Sequence, residues 1–426
     1  MRSIWISFSI FWLLVSLIGW GVYPERSRGA TVEEIRSRIE DHSVEIKKLE
    51  TQIESYQKEL RTVEKTSKNL RNEIERLELT RQKLAADIKL TERQIGKTDL
   101  TIEELALAIS DKNLTLNRRR AAVEESLRQW RQLQSQSFLE LMLGYDHLSD
   151  AWTELAALAA FQRHLEQDID AVAELKKDLE TTKAATETER ARLSVLKERL
   201  ADQRQIAKDN QLEKDRLLNQ TKNKEANYKK LLVDTVARKK DFEQELFQLE
   251  SQLRIAVDLG KLPAAGRGVL RWPLASVYVT QQFGKTVDAK RLYASGTHNG
   301  IDLRAGTGTP VLAAESGTIT GTGDTDLVCR GASYGKWILI DHGNGLSTLY
   351  AHLSLVKAAK GQATAIGEII GYSGQTGYST GPHLHFTVYA TQGLRIDEYA
   401  FRSCSGVKVT LPLADLEAYL DPMLYL

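Results

Sequence analysis

Five residues near the C-terminus have the types and spacing that metal chemistry requires: His298, Asp302, His352, His383 and His385. They lie in three short strings, His298-Asn299-Gly300-Ile301-Asp302, Tyr350-Ala351-His352-Leu353 and Gly381-Pro382-His383-Leu384-His385-Phe386. The chain has only eight histidines in 426 residues, and four of them fall in these strings. Neutral imidazole is the commonest metal ligand, and three protein ligands with one open position is the form of a catalytic zinc site. On a strand, His383 and His385 point to the same face, so one binds metal while the other stands beside the attacking water. Asn299 and Gly300 permit a loop that turns His298 and Asp302 inward. A His/Asp/His shell of this kind predicts Zn2+, which would lower the pKa of a water and polarise a peptide carbonyl. A second imidazole would take the proton, and His352 would stabilise the developing oxyanion.

An isolated His-x-His is weak evidence, but the three strings in this order resemble the LytM or lysostaphin-like metallopeptidases. Those enzymes cut peptide cross-bridges in bacterial cell walls, and their signature is His-x-x-x-Asp followed later by His-x-His. The resemblance covers roughly residues 268–426. It implies His298, Asp302 and His385 as zinc ligands, His383 as general base and His352 as transition-state stabiliser. The chain departs from the pattern at Thr387, where the family often has Glu, and residues 324–333 form a longer segment than minimal members carry. His342 lies outside the strings and reads as structural. The glycines of 371–381 lack a Gly-Lys-Thr/Ser and so do not make a phosphate loop; they read as the wall of a groove for an extended peptide.

Short apolar runs at 277–280, 318–320, 337–340, 347–350 and 384–388, separated by glycine and asparagine turns, predict the strands that position these residues. Only five of 28 glycines precede Gly260. The glycine-rich end therefore differs in architecture from the charged, glycine-poor first part. The expectation is an α+β multidomain chain, a long antiparallel α-helical coiled coil followed by an antiparallel β-sheet domain at 268–426, joined by a linker at 258–267.

The coiled coil is read from heptads at 31–257. Of the fourteen positions at seven-residue spacing from Val32 to Val123, twelve are apolar, Ser67 and Arg81 being the exceptions. No proline occurs between Pro24 and Pro263. A weaker stretch follows, in which Leu165, Leu179, Leu200, Tyr228, Phe242 and Leu249 keep the register while Thr186, Lys214 and Thr221 break it. Between them, residues 138–161 are rich in apolar and aromatic side chains around Gly144. The simplest reading is a hairpin of two arms, each about 135 Å long at ~1.5 Å per residue, with an apolar tip. That tip either packs on itself or forms a docking surface. His42, His147 and His164 lie in this half and read as ordinary histidines rather than ligands.

Residues 1–30 read as a targeting segment: Arg2, then an uncharged apolar run at 4–23. Cleaved signal peptide and retained membrane anchor both fit, and both export the rest to the periplasm or cell envelope. In an exported protein, Cys329 and Cys404 read first as a disulfide closing a loop of about 75 residues, worth roughly 4 kcal/mol, with buried free thiols as the alternative. A net charge of +1 gives no electrostatic case for nucleic acid.

The layout of export signal, coiled coil and C-terminal domain also resembles EnvC-type division proteins, which activate separate amidases. That resemblance implies docking of a membrane division complex of the FtsEX kind through the tip, and a helical segment covering the groove until it is released. With all five site residues present, the expected function is a zinc-dependent peptidoglycan endopeptidase acting on peptide cross-links at division or wall remodelling. The alternative is a non-catalytic activator of a cell-wall amidase.

Overall fold

The computed structural model describes residues 31–426, apart from 65–68, 134–147, 254–257 and the single positions 259, 261, 267, 294 and 380. The targeting segment, the heart of the apolar tip and His147 lie outside the described residues. No described helix is long and apolar enough to cross a membrane.

Four long helices fill the first part: α1 (Val32–Glu64), α2 (Leu70–Leu133), α3 (Leu148–Thr221) and α4 (Glu225–Gln252). Cross-helix pairs fix their directions. Arg36 meets Glu104 while Ser43 meets Lys97, so α1 runs antiparallel to α2. Glu78 meets Lys214 while Lys112 meets Asp178, so α2 runs antiparallel to α3. The expected antiparallel coiled coil is therefore present. Its first arm, however, is two helices folded on each other rather than one. The heptads of α1 and α2 share a register, so the apolar seam shows no reversal. The break is marked only by the polar run Lys65-Thr66-Ser67-Lys68-Asn69, where Asn69 Oδ1 accepts the Asn72 N–H at 2.9 Å and starts α2. Ile35, Leu49, Leu77, Leu84, Leu116, Leu179 and Ile206 are buried along the seam.

After Thr221 the chain passes through left-handed Lys222 and Asn223 and enters α4. The first turns of α4 still pack on the coil, Tyr228 against Leu70, Leu77 and Leu217, but its later apolar side leaves it. Phe242, wholly buried, stacks on Phe401 with ring centroids 4.0 Å apart, and Leu246 joins the same cluster on the β domain.

The second part is an antiparallel sheet. Its elements are β1 (Val279–Gln281), a short α5 (Val287–Leu292), β2 (Ile301–Arg304), β3 (Pro310–Leu312), β4 (Gly317–Asp324), β5 (Lys336–Asp341), β6 (Leu346–Val356), β7 (Ala363–Thr364), β8 (Ile369–Ser373) and β9 (His383–Ala390). The hairpin β10 (Leu394–Ala400) and β11 (Lys408–Ala414) stands apart, and β12 (Tyr419–Leu420) returns to β9. The main path runs β1-β2-β9-β6-β5-β4-β7. Alternate burial supplies the core: Ile301, Leu303, Ile338, Ile340, Tyr350, Leu384, Phe386 and Val388 pack together on one face. That cluster draws all its buried members from residues 270–426, so this domain carries its own core.

The coil grips the sheet domain from one side. Lys357 pairs with Glu198 at 2.7 Å and Asp202 at 3.1 Å, Tyr372 donates to Asp202, and Arg330 pairs with Glu213. Leu84 and Ile206 pack on Tyr372. Cys329 and Cys404 form a disulfide, Cα–Cα 5.3 Å, which ties the loop after β4 to the end of the β10–β11 hairpin.

Candidate metal centre and groove

Strand register builds the site. In the β2–β9 pair Asp302 lies opposite His385, and in the β9–β6 pair Ala351 lies opposite His385, which leaves His352 at the edge of that register. Gly284 bridges His298 just before β2. The three central strands thus bring together all five residues that the sequence singles out.

His298, Asp302 and His385 are buried, and one ligand atom from each lies within 4.8 Å of the others. His385 Nδ1 is 2.9 Å from Asp302 Oδ1 and 3.1 Å from His298 Nε2, and His298 Nε2 is 3.3 Å from that same oxygen. Two nitrogens and one carboxylate oxygen converging in a buried place are the donor set that Zn2+ takes in a tetrahedral site with one position left for water or substrate. The residues present therefore fit the metal.

The outer nitrogen of each ring fixes what the inner one can do. A carbonyl only accepts, so its partner nitrogen carries the proton. His298 Nδ1 donates to Gln282 O at 3.0 Å, His352 Nδ1 to Thr376 O at 2.8 Å, and His383 Nδ1 to Gly381 O at 2.8 Å. In its neutral form each of these rings turns the Nε2 lone pair inward. His383 Nε2 lies 3.5 Å from Asp302 Oδ1, and its ring centroid is 4.7 Å from that of His352. His385 is arranged the other way round, with Nδ1 facing in and Nε2 held by Thr387 Oγ1 at 2.9 Å.

Electrostatics match this assignment. Burial by itself raises the Asp302 carboxyl, but the neighbouring imidazoles, His383 foremost, outweigh it and hold the group well below the usual carboxylate range. Burial, with His383 and His385 adding to it, pushes His352 well below the usual imidazole range, and burial also lowers His385. The carboxylate is thus favoured in its ionised form and the His352 and His385 rings in their neutral form, the states a metal requires of its ligands.

His352 is held at φ 59°, in the left-handed region that a β-strand residue seldom visits. Its N–H bonds Tyr334 O and its ring bonds Thr376 O, so the two loops flanking the groove set its direction. Gly300 lies so close to β9 that a Cβ there would sit 2.5 Å from Phe386 O and 2.7 Å from Thr387 Oγ1. This explains the glycine in the first string. His342 bonds Ser316 O and Thr348, away from the site, as the structural reading expects.

Sequence reasoning missed a tyrosine shelf; a helical segment over the groove was implied by the EnvC-type resemblance, but not which helix supplies it. Tyr334 Oη accepts from Asn299 Nδ2 and shares a hydrogen bond with Tyr389, while burial pushes Tyr378 up to about 12. Above them, α4 closes a cavity of about 210 Å³ whose walls include Tyr334, His352 and His385 below and Leu246, Phe247 and Glu250 above. Glu245 carboxylate oxygens accept the Arg402 and Ser403 N–H groups, and Tyr419 Oη donates to Glu250 at 2.6 Å. The one sequence signal for this roof is Phe242-x-x-x-Leu246-Phe247, which is indistinguishable from a coil seam.

Residues 296–398 match Peptidase family M23. The C-terminal domain is an M23 peptidase domain. Over 114 residues it is 43% identical to the DD-carboxypeptidase/endopeptidase Mpg of Neisseria meningitidis, covering 27% of this chain and 25% of that protein. Over 153 residues it is 32% identical to the peptidoglycan DD-endopeptidase ShyA of Vibrio cholerae, covering 35% and 31%. Over 123 residues it is 33% identical to the cell division protein DipM of Caulobacter vibrioides, covering 29% and 18%. The chain thus spans about a third or less of the length of these relatives, and the likeness belongs to the M23 domain.

Proposed function

We propose that this protein is an exported, zinc-dependent endopeptidase of peptidoglycan that cuts peptide cross-links at division or wall remodelling, and that α4 holds its groove closed. The observation that carries the reading is the buried convergence of His298, Asp302 and His385 beside two further imidazoles whose outer nitrogens are pinned. His298 Nε2, Asp302 Oδ1 and His385 Nδ1 would hold the zinc. Bound there, zinc supplies Lewis acidity at the scissile carbonyl and lowers the pKa of the attacking water.

The protein's own groups do the rest. His383 Nε2, beside Asp302, takes the proton of the water. His352 is neutral at rest and presents the same nitrogen; once it carries a proton, that nitrogen donates to the oxyanion. The groove between 325–333 and 374–381 takes the peptide in extended form. At the far end of the coil Trp130 stacks on Phe161 and Trp152 is 71% exposed, which supports docking of a membrane division complex there.

The test compares full-length protein with a 258–426 fragment on purified peptidoglycan, with and without a zinc chelator, reading released fragments by mass spectrometry. Chelator-sensitive peptide cuts, faster from the fragment, are expected. A zinc-loaded fragment that makes no cut yet stimulates a cell-wall amidase would establish the activator function instead.

A further inference from the structure

His298, His352 and His383 each set the outer nitrogen on a carbonyl, His383 with Ser379 Oγ at 3.1 Å as well, whereas the outer nitrogen of His385 meets the Thr387 hydroxyl. A carbonyl dictates a tautomer, whereas a hydroxyl both donates and accepts. The inner side of the same ring is crowded with acceptors. His385 Nδ1 faces Asp302 Oδ1 at 2.9 Å and His298 Nε2 at 3.1 Å, and His298 has committed its own proton to Gln282 O. Without a cation, three lone pairs would converge there. A proton on His385 Nδ1 removes that repulsion by donating to Asp302. It must leave Nδ1 before that atom can ligate a metal.

We propose that Thr387 is the positioning residue that lets His385 exchange tautomers as zinc enters, an inference that rests on the zinc reading of the site. In the metal-free protein the proton sits on Nδ1, and the Thr387 hydroxyl donates to Nε2. In the loaded protein the proton sits on Nε2 and donates to Thr387 Oγ1, leaving the Nδ1 lone pair for the metal. The ring gains one proton at Nε2 for the one it gives up at Nδ1, so its charge is unchanged. Thr387 is wholly buried, His385 is nearly so, and Gly300 seals the contact from the opposite strand. The reversal of the hydroxyl thus accommodates the moved proton.

The experiment uses full-length protein labelled with ¹⁵N-histidine, with His385 assigned by its loss in His385→Gln. Imidazole spectra are recorded metal-free and with zinc, and zinc affinity is measured by competition with a chromophoric chelator. Wild type is expected to show Nδ1 protonated without metal and Nε2 protonated with it. Thr387→Val keeps the shape but loses the hydroxyl, and zinc should bind roughly tenfold to hundredfold more weakly, the usual cost of removing a metal ligand's hydrogen-bond partner. Thr387→Ser should restore both affinity and spectrum, which a role in packing alone would not. Unchanged affinity in Thr387→Val, or a metal-free His385 already protonated at Nε2, overturns the proposal. Wild type that binds no zinc overturns the zinc reading itself.

Discussion

Replacing Phe242 by Ala tests whether α4 gates the groove. The Phe242 ring is wholly buried and stacked on Phe401, in a cluster with Leu246 and the disulfide. Truncating a buried Phe costs about 3–5 kcal/mol. Glu245 and Glu250 keep their own contacts to 402–403 and Tyr419, so the lower figure is the better guide. Almost all of that loss falls on the docked state, because a lifted α4 exposes the ring anyway. About 3 kcal/mol is roughly a hundredfold in the docking equilibrium, at ~1.4 kcal/mol per tenfold. The full-length variant should therefore release peptidoglycan fragments up to roughly a hundredfold faster than wild type, reaching a ceiling at the rate of the 258–426 fragment. Hydrogen exchange over 242–250 supplies the control. If those amides exchange faster while the cutting rate stays at the wild-type value, α4 does not gate the site.

Three further outcomes follow from the same contacts. Burial pushes the Glu250 carboxyl from the ordinary 4.5 up to about 7, so the docked helix prefers it protonated. Docking should weaken as pH climbs between those values, by about 3 kcal/mol in all, and level off above. Full-length activity relative to the fragment should rise over that window, and Glu250→Gln should abolish the rise. Changing both Cys329 and Cys404 to Ser frees the hairpin end from the loop after β4 and should lower Tm and speed amide exchange in both 242–250 and 401–407. Asp302→Ala should take zinc content to near zero by elemental analysis and end cutting, while the far-ultraviolet spectrum keeps its strand signal, since the neighbouring Ile301 and Leu303 hold the core on the other face of the strand.

The metal centre was legible because strand periodicity converts sequence spacing directly into geometry. Two residues apart on β9 means one face, and that face holds His383 and His385. The β2 loop then needed only Gly300, the residue that can press against β9. The helical half was legible as an apolar seam but not as a path. A heptad records which side of a helix is buried, not which partner buries it. Ile35, Ile53, Leu77 and Leu84 therefore read the same whether the chain runs on or doubles back, and the polar run at 65–69 was the only mark of the turn. Phe242 failed to announce itself for the same reason: at coil spacing, it packs on a sheet hairpin. The tautomers were out of reach, because Gln282, Thr376 and Gly381 act through main-chain carbonyls that any residue would supply.

The seat of the sheet domain on α3 has a consequence for reach. Its ion pairs fall at residues 198–213, whereas α3 starts at Leu148, some sixty residues nearer the far end of the hairpin. At ~1.5 Å per residue that is about 90 Å of unbroken helix. Whatever grips the far end therefore holds the groove at a set distance, as a ruler would. Lengthening or shortening α2 and α3 together by whole heptads would move the plane in which the wall is cut by about 10 Å per heptad, without touching a single residue of the site.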